Sequence, residues 1–285
     1  MKSTIKITEC PRDAIQGIVD FIPTKDKIEY INRLLKVGFD VIDVGSFVSP
    51  HKVPQMKDTD EVISSLNLDG NDSKLSVIIA NLRGANKACS FQQISYLGFP
   101  LSISEEFQKR NTNMDINSAL ELVQEIQNKT IQNNKALIVY LSMAFGNPYG
   151  EHWHPDLVCN IVEKLNQIGI EKVSLSDTIG VSCPENISPL FKLAIKEFSK
   201  IDFAAHFHSY VKDAKEKIDA AFLSGCVNFD SAIGGFGGCP MAKDELVGNI
   251  PTELLVDYFK FNDVELRIDF SALDNIVKNI PKYFT

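Results

Sequence analysis

The chain has no apolar run approaching the roughly 18 residues of a membrane-spanning helix, and its N-terminus lacks a basic-then-apolar leader. It has no basic stripe either. Its 29 Lys and Arg are outnumbered by 37 Asp and Glu, giving a formal charge of −8, which argues against nucleic acid or a membrane surface as the main partner. The six cysteines form no C-x-x-C pair, so neither structural zinc nor a disulfide framework is indicated. No G-x-G-x-x-G or P-loop follows the first strand pattern, which removes the usual support for an open nucleotide-binding sheet. The cytoplasm is the expected location.

What is present is a rhythm. In 285 residues, eight apolar strand patterns alternate with helical ones: residues 4–9, 39–46, 75–80, 94–99, 136–143, 172–176, 202–208 and 227–233. Such βα units imply a parallel sheet, and eight of them at this length predict a closed (β/α)8 TIM barrel with additional C-terminal helices. No linker interrupts the pattern, so residues 1–285 are expected to form a single catalytic domain.

In such a barrel the C-terminal strand ends converge on one mouth. Arg12 and Asp13, Asp43, Asp177, His206 and His208, and Cys239 all fall at those ends. Pro11-Arg12-Asp13 reads as a turn after the first strand. His206 and His208 alternate along a strand, so both imidazoles face the same side and can reach one ion. Asp13 supplies a carboxylate two strands away around the closed barrel. Two imidazoles, one carboxylate and an amide oxygen from Asn249 suit a divalent cation. Mg2+ or Mn2+ fits the oxygen-rich remainder, and Zn2+ fits the nitrogen ligands. His152-Trp-His154, by contrast, sits in a Gly/Pro-flanked loop and is expected to cap the next helix. Arg12 can offset negative charge that develops at the mouth. Gly234, Gly235, Gly237 and Gly238 make a segment whose backbone can approach a ligand closely, and it leads straight into Cys239, placed to move a proton.

Pro11-Arg-Asp13 with Gln16, Val41-Ile-Asp-Val-Gly-Ser-Phe-Val-Ser-Pro50, Val53-Pro-Gln-Met56, Ser176-Asp-Thr-Ile-Gly180, His206-Phe-His208, Gly234-Gly-Phe-Gly-Gly-Cys-Pro240 and Gly248-Asn249 resemble, in the same order, the 3-hydroxy-3-methylglutaryl-CoA (HMG-CoA) lyase family. The resemblance spans nearly the whole chain. It implies cleavage of HMG-CoA to acetyl-CoA and acetoacetate, with the metal on Asp13, His206, His208 and Asn249. It implies that Asp43 helps remove the hydroxyl proton, that Arg12 stabilises the thioester enolate and that Cys239 protonates it. Gln16, Ser142, Asp177, Gly237 and Gly238 are the expected substrate contacts, an acyl-CoA is the expected partner, and a homodimer is compatible. Position 43 is Asp where the family carries Glu, Ser209 stands in place of Asp, Gly17-Ile18 in place of Asn-Glu, and the segment between Cys239 and Asn249 is one residue longer. These differences bear on which acyl group is accepted. A relative acting on another 3-hydroxyacyl-CoA, a Claisen-type condensing enzyme and a catalytically silent barrel used for binding are the competing readings.

Overall fold

The structure, a computed structural model, describes residues 4–238, 247–281 and 284. Eight parallel strands close into a barrel in chain order: β1 Lys6–Glu9, β2 Val41–Ser46, β3 Lys74–Ile78, β4 Ile94–Ser102, β5 Ala136–Ser142, β6 Lys172–Asp177, β7 Asp202–Phe207 and β8 Asn228–Ser231. Closure is made by β1 against β8, with Ile7 opposite Phe229 and Glu9 opposite Ser231. The predicted barrel is observed.

The strands are buried on both faces, as a parallel sheet wrapped by helices requires. Ile7, Ile42, Leu75, Val77, Leu97, Val139, Leu141, Val173, Leu175 and Phe229 are at most 2% exposed and join one core with the helices outside. These helices are α1 Pro11–Gln16, α2 Thr24–Leu35, α3 Thr59–Ser64, α4 Leu82–Cys89, α5 Glu105–Thr112, α6 Ile116–Gln132, α7 Pro155–Ile168, α8 Pro184–Glu197, α9 Val211–Leu223, α10 Thr252–Phe261 and α11 Phe270–Lys278. The last two are the expected C-terminal pair. Among the described residues no helix is long and apolar enough to cross a membrane.

Two local expectations are corrected. The segment read as a turn at Pro11-Arg12-Asp13 is the first turn of α1. Proline at the first helical position has no N–H to satisfy and a φ suited to the helix, so it starts this helix rather than breaking the chain. The pattern at 227–233 pairs only over Asn228–Ser231 and then tightens into a 3-10 turn at Ile233–Gly235. Gly234 there has φ 75°, a left-handed conformation that removes its neighbours from the ladder. The His152–His154 expectation holds at His154, whose Nδ1 accepts from the Asp156 amide at 3.3 Å as the cap of α7.

Candidate metal centre and active site

The site is built where β1 hands over to α1. Arg12 and Asp13 lie in the opening turn of α1 and are buried, so their charges must be satisfied within the protein. The Arg12 guanidinium does this as a fork. Nε and Nη2 donate to Asp43 Oδ2 at 2.8 and 2.6 Å, while Nη1 donates to Asp13 Oδ1 and Gln16 Oε1, each at 2.9 Å. Gln16 Nε2 closes the ring by donating to Asp13 Oδ1 at 2.7 Å. Burial alone would pull the arginine pKa down, but Asp43 and Asp13 outweigh it and the guanidinium is held firmly cationic.

The two carboxylates respond differently. Burial pushes Asp13 up, but Arg12, His208 and His206 more than offset it, and the group titrates well below the usual carboxylate range. Burial dominates at Asp43, whose pKa rises to about 6 despite the Arg12 charge. Asp43 Oδ1 is also buried without a hydrogen-bond partner.

Across the mouth, His206 stands at the end of β7 and His208 just beyond it. His206 Nδ1 lies 3.1 Å from Asp230 Oδ2, which also accepts from Ser174 Oγ at 3.0 Å. His208 Nδ1 lies 3.1 Å from the Thr178 carbonyl. A carbonyl only accepts, so Nδ1 is the protonated donor there and Nε2 is the ring nitrogen left facing Asp13. That Nε2 is buried without a partner and sits 3.7 Å from Asp13 Oδ2. Burial lowers the His206 pKa, but the hydrogen bond and charge of Asp230 overcome this and leave it raised.

Ligand atoms of Asp13, His206 and His208 all lie within 4.8 Å of one another. An orphaned imidazole nitrogen, an ionised carboxylate and a second imidazole with a carboxylate behind it form a donor set that fits a divalent cation. Asn249 reaches the same place because its stretch bridges His208. Its Nδ2 donates to Asp13 Oδ2 at 2.7 Å and to the Phe236 carbonyl at 2.9 Å, so the amide nitrogen, rather than the expected oxygen, faces the carboxylate.

Gly237 packs against this corner with φ 103°, and a Cβ there would lie 2.6 Å from Asn249 Nδ2 and 2.8 Å from the Asp13 carbonyl. Only glycine allows that approach. Gly238 follows it, also at positive φ. Ser142 is buried at the C-terminal end of β5. Asp177 stands on the same rim, but its carboxylate is committed to other partners. It accepts from the Val181 and Ser182 amides, each at 2.9 Å, and from Lys217 Nζ at 3.1 Å. It therefore anchors the β6–α8 connection. Cys239 lies outside the described residues.

Sequence reasoning missed Asp230, Ser174, Thr178 and Lys217. Asp230 had a signal, an acid inside a buried strand pattern. Lys217 is buried on α9 and donates to the carbonyls of His208 and Gly180 at 3.0 and 3.2 Å. A cavity of about 800 Å³ opens at the opposite, N-terminal end of the barrel and reaches inward to Tyr140, Ser174 and Asp230. It meets the metal centre through Asp230 and Tyr140, both of which contact His206.

Residues 5–280 match the HMGL-like family model. The chain belongs to the HMGL-like family. The cytoplasmic 3-hydroxy-3-methylglutaryl-CoA lyase of Homo sapiens is 35% identical over 255 residues, 88% of this chain and 68% of that protein. The 3-hydroxy-3-isohexenylglutaryl-CoA/hydroxy-methylglutaryl-CoA lyase of Pseudomonas aeruginosa is 32% identical over 263 residues, 92% of this chain and 87% of that protein. Among solved structures, an HMG-CoA lyase from Acinetobacter baumannii in complex with coenzyme A and 3-methylmalate superposes with a TM-score of 0.91. It is 29% identical, covering 99% of this chain and 91% of the other. This HMGL-like chain is thus an HMG-CoA lyase-like enzyme of a metal-dependent family, and Asp13, His206 and His208 form a possible site for the ion.

Proposed function

We propose that the enzyme cleaves HMG-CoA to acetyl-CoA and acetoacetate in the cytoplasm, using Mg2+ or Mn2+. The observation that carries this reading is the adjacency of the Asp13–His206–His208 cluster to the Arg12–Asp43 pair. Asp13, His206 and His208 would hold the ion, with Asn249 turned to offer its amide oxygen. When bound, the ion supplies Lewis acidity toward the substrate's tertiary hydroxyl.

Asp43 takes the hydroxyl proton, and its unpartnered Oδ1 is the free acceptor for it. As the oxygen becomes a ketone, the C2–C3 bond breaks and its electron pair passes to C2, forming the thioester enolate. The Arg12 guanidinium, already fixed by two carboxylates, offsets that charge without reorganising. A proton from Cys239 at C2 completes acetyl-CoA. Gln16, Ser142, Asp177, Gly237 and Gly238 are proposed to touch substrate, Asp177 while also holding its loop.

The test is incubation with HMG-CoA and Mg2+ or Mn2+, following acetoacetate. Metal-dependent release of acetoacetate is expected. No release, with protein that binds the metal, would redirect the assignment to another 3-hydroxyacyl-CoA.

A further inference from the structure

Glu9 is fully buried at the end of β1 and has no part in the chemistry above. Thr8 lines the barrel interior, so by strand alternation Ile7 and Glu9 face the helical layer instead. The Glu9 carboxyl joins two points far along the chain. Oε1 accepts the Ile233 amide at 2.9 Å where the chain leaves β8, and Oε2 lies 2.6 Å from the Thr252 hydroxyl where it enters α10. Thr252 Oγ1 also lies 2.9 Å from Ser231 Oγ. The next amide, Gly234, donates to Glu253 Oε2 in the first turn of α10 at 3.1 Å. Backbone bonds from Ala232 to the Ile250 carbonyl and from Thr252 to the Ala232 carbonyl complete the junction.

Gly237 lies just beyond Ile233, and Asn249 lies just before Thr252. Both pack on Asp13. We propose that Glu9 is a positioning residue for the metal centre: by tying the exit of β8 to the start of α10, it sets Asn249 and Gly237 against Asp13. The inference rests on the reading of Asp13, His206 and His208 as metal ligands. It concerns hydrogen bonding rather than charge, because burial pushes the Glu9 pKa up to about 8 and leaves the group mostly neutral at pH 7. A neutral carboxyl offers one acceptor and one donor, as a glutamine does.

The test is calorimetric titration of the metal-free full chain with Mn2+, for wild type, Glu9→Leu, Glu9→Gln and Thr252→Val, with thermal melting to establish that each is folded. Glu9→Leu is expected to weaken Mn2+ binding about 10- to 100-fold, the usual effect of removing support from behind a ligand set. Glu9→Gln is expected to restore nearly wild-type affinity, and Thr252→Val to weaken binding less than Glu9→Leu. A folded Glu9→Leu with wild-type affinity overturns the proposal, since a purely structural role lowers the melting temperature without moving the dissociation constant. If Glu9→Leu does not fold, wild-type affinity in Thr252→Val overturns it. Failure of the wild-type chain to bind Mn2+ would instead strike the reading of the metal centre itself.

Discussion

His206 and Asp230 stand directly opposite each other in the β7–β8 register, and the imidazole Nδ1 lies 3.1 Å from the carboxylate. This contact leaves Nε2 directed at the mouth and raises its basicity as a ligand. Asp230→Ala is therefore expected to weaken Mn2+ binding about 10- to 100-fold without altering the ligand set. Ser174→Ala, which removes only a donor to Asp230, should change it little. Calorimetry on the metal-free variants checks both.

Asp43 predicts the acid side of the rate profile. Its ionised form accepts the substrate proton, and burial places its pKa at about 6. Turnover should therefore rise as pH climbs through about 6 and level off above. Asp43→Asn should abolish that limb and lower kcat by about 10²- to 10⁴-fold, the usual contribution of a positioned base. A pH series of kcat/KM for both proteins measures this.

Glu9 predicts a stability profile of the opposite slope. Its pKa is raised from an ordinary 4.5 to about 8, chiefly by burial. Between those values the folded chain holds the proton more tightly than the unfolded one. Its contribution is complete below 4.5 and is lost as pH rises toward 8. Glu9→Gln removes the titration, so its melting temperature should decline less than that of wild type over the same interval. Differential scanning calorimetry across that range tests the slope.

The convergence of Asp13, His206 and His208 was legible because barrel topology alone brings strand ends together, whatever the loops do. Arg12 and Asp43 followed by the same logic, Arg12 lying just beyond the first strand pattern and Asp43 within the second. The commitments of polar atoms were not legible. Asp177 has the right position for a substrate contact, yet two amides and Lys217 occupy it. Lys217 itself reads as an ordinary polar position on α9, and only the packed structure shows it buried with its ammonium on the His208 and Gly180 carbonyls. The helix at Pro11 was hidden because a six-residue helix has too few turns to show a periodicity. The six-residue helix α3 escaped notice for the same reason.

The most direct measurement is Mn2+ titration of the metal-free chain beside Asp13→Ala and His208→Ala. The His208 Nε2 atom is buried, carries no hydrogen-bond partner and lies 3.7 Å from Asp13 Oδ2, so one Mn2+ per chain is predicted for wild type, with binding abolished or severely weakened in both variants. Unchanged stoichiometry and affinity in His208→Ala would contradict a cation shared between Asp13 on α1 and the histidines at the end of β7.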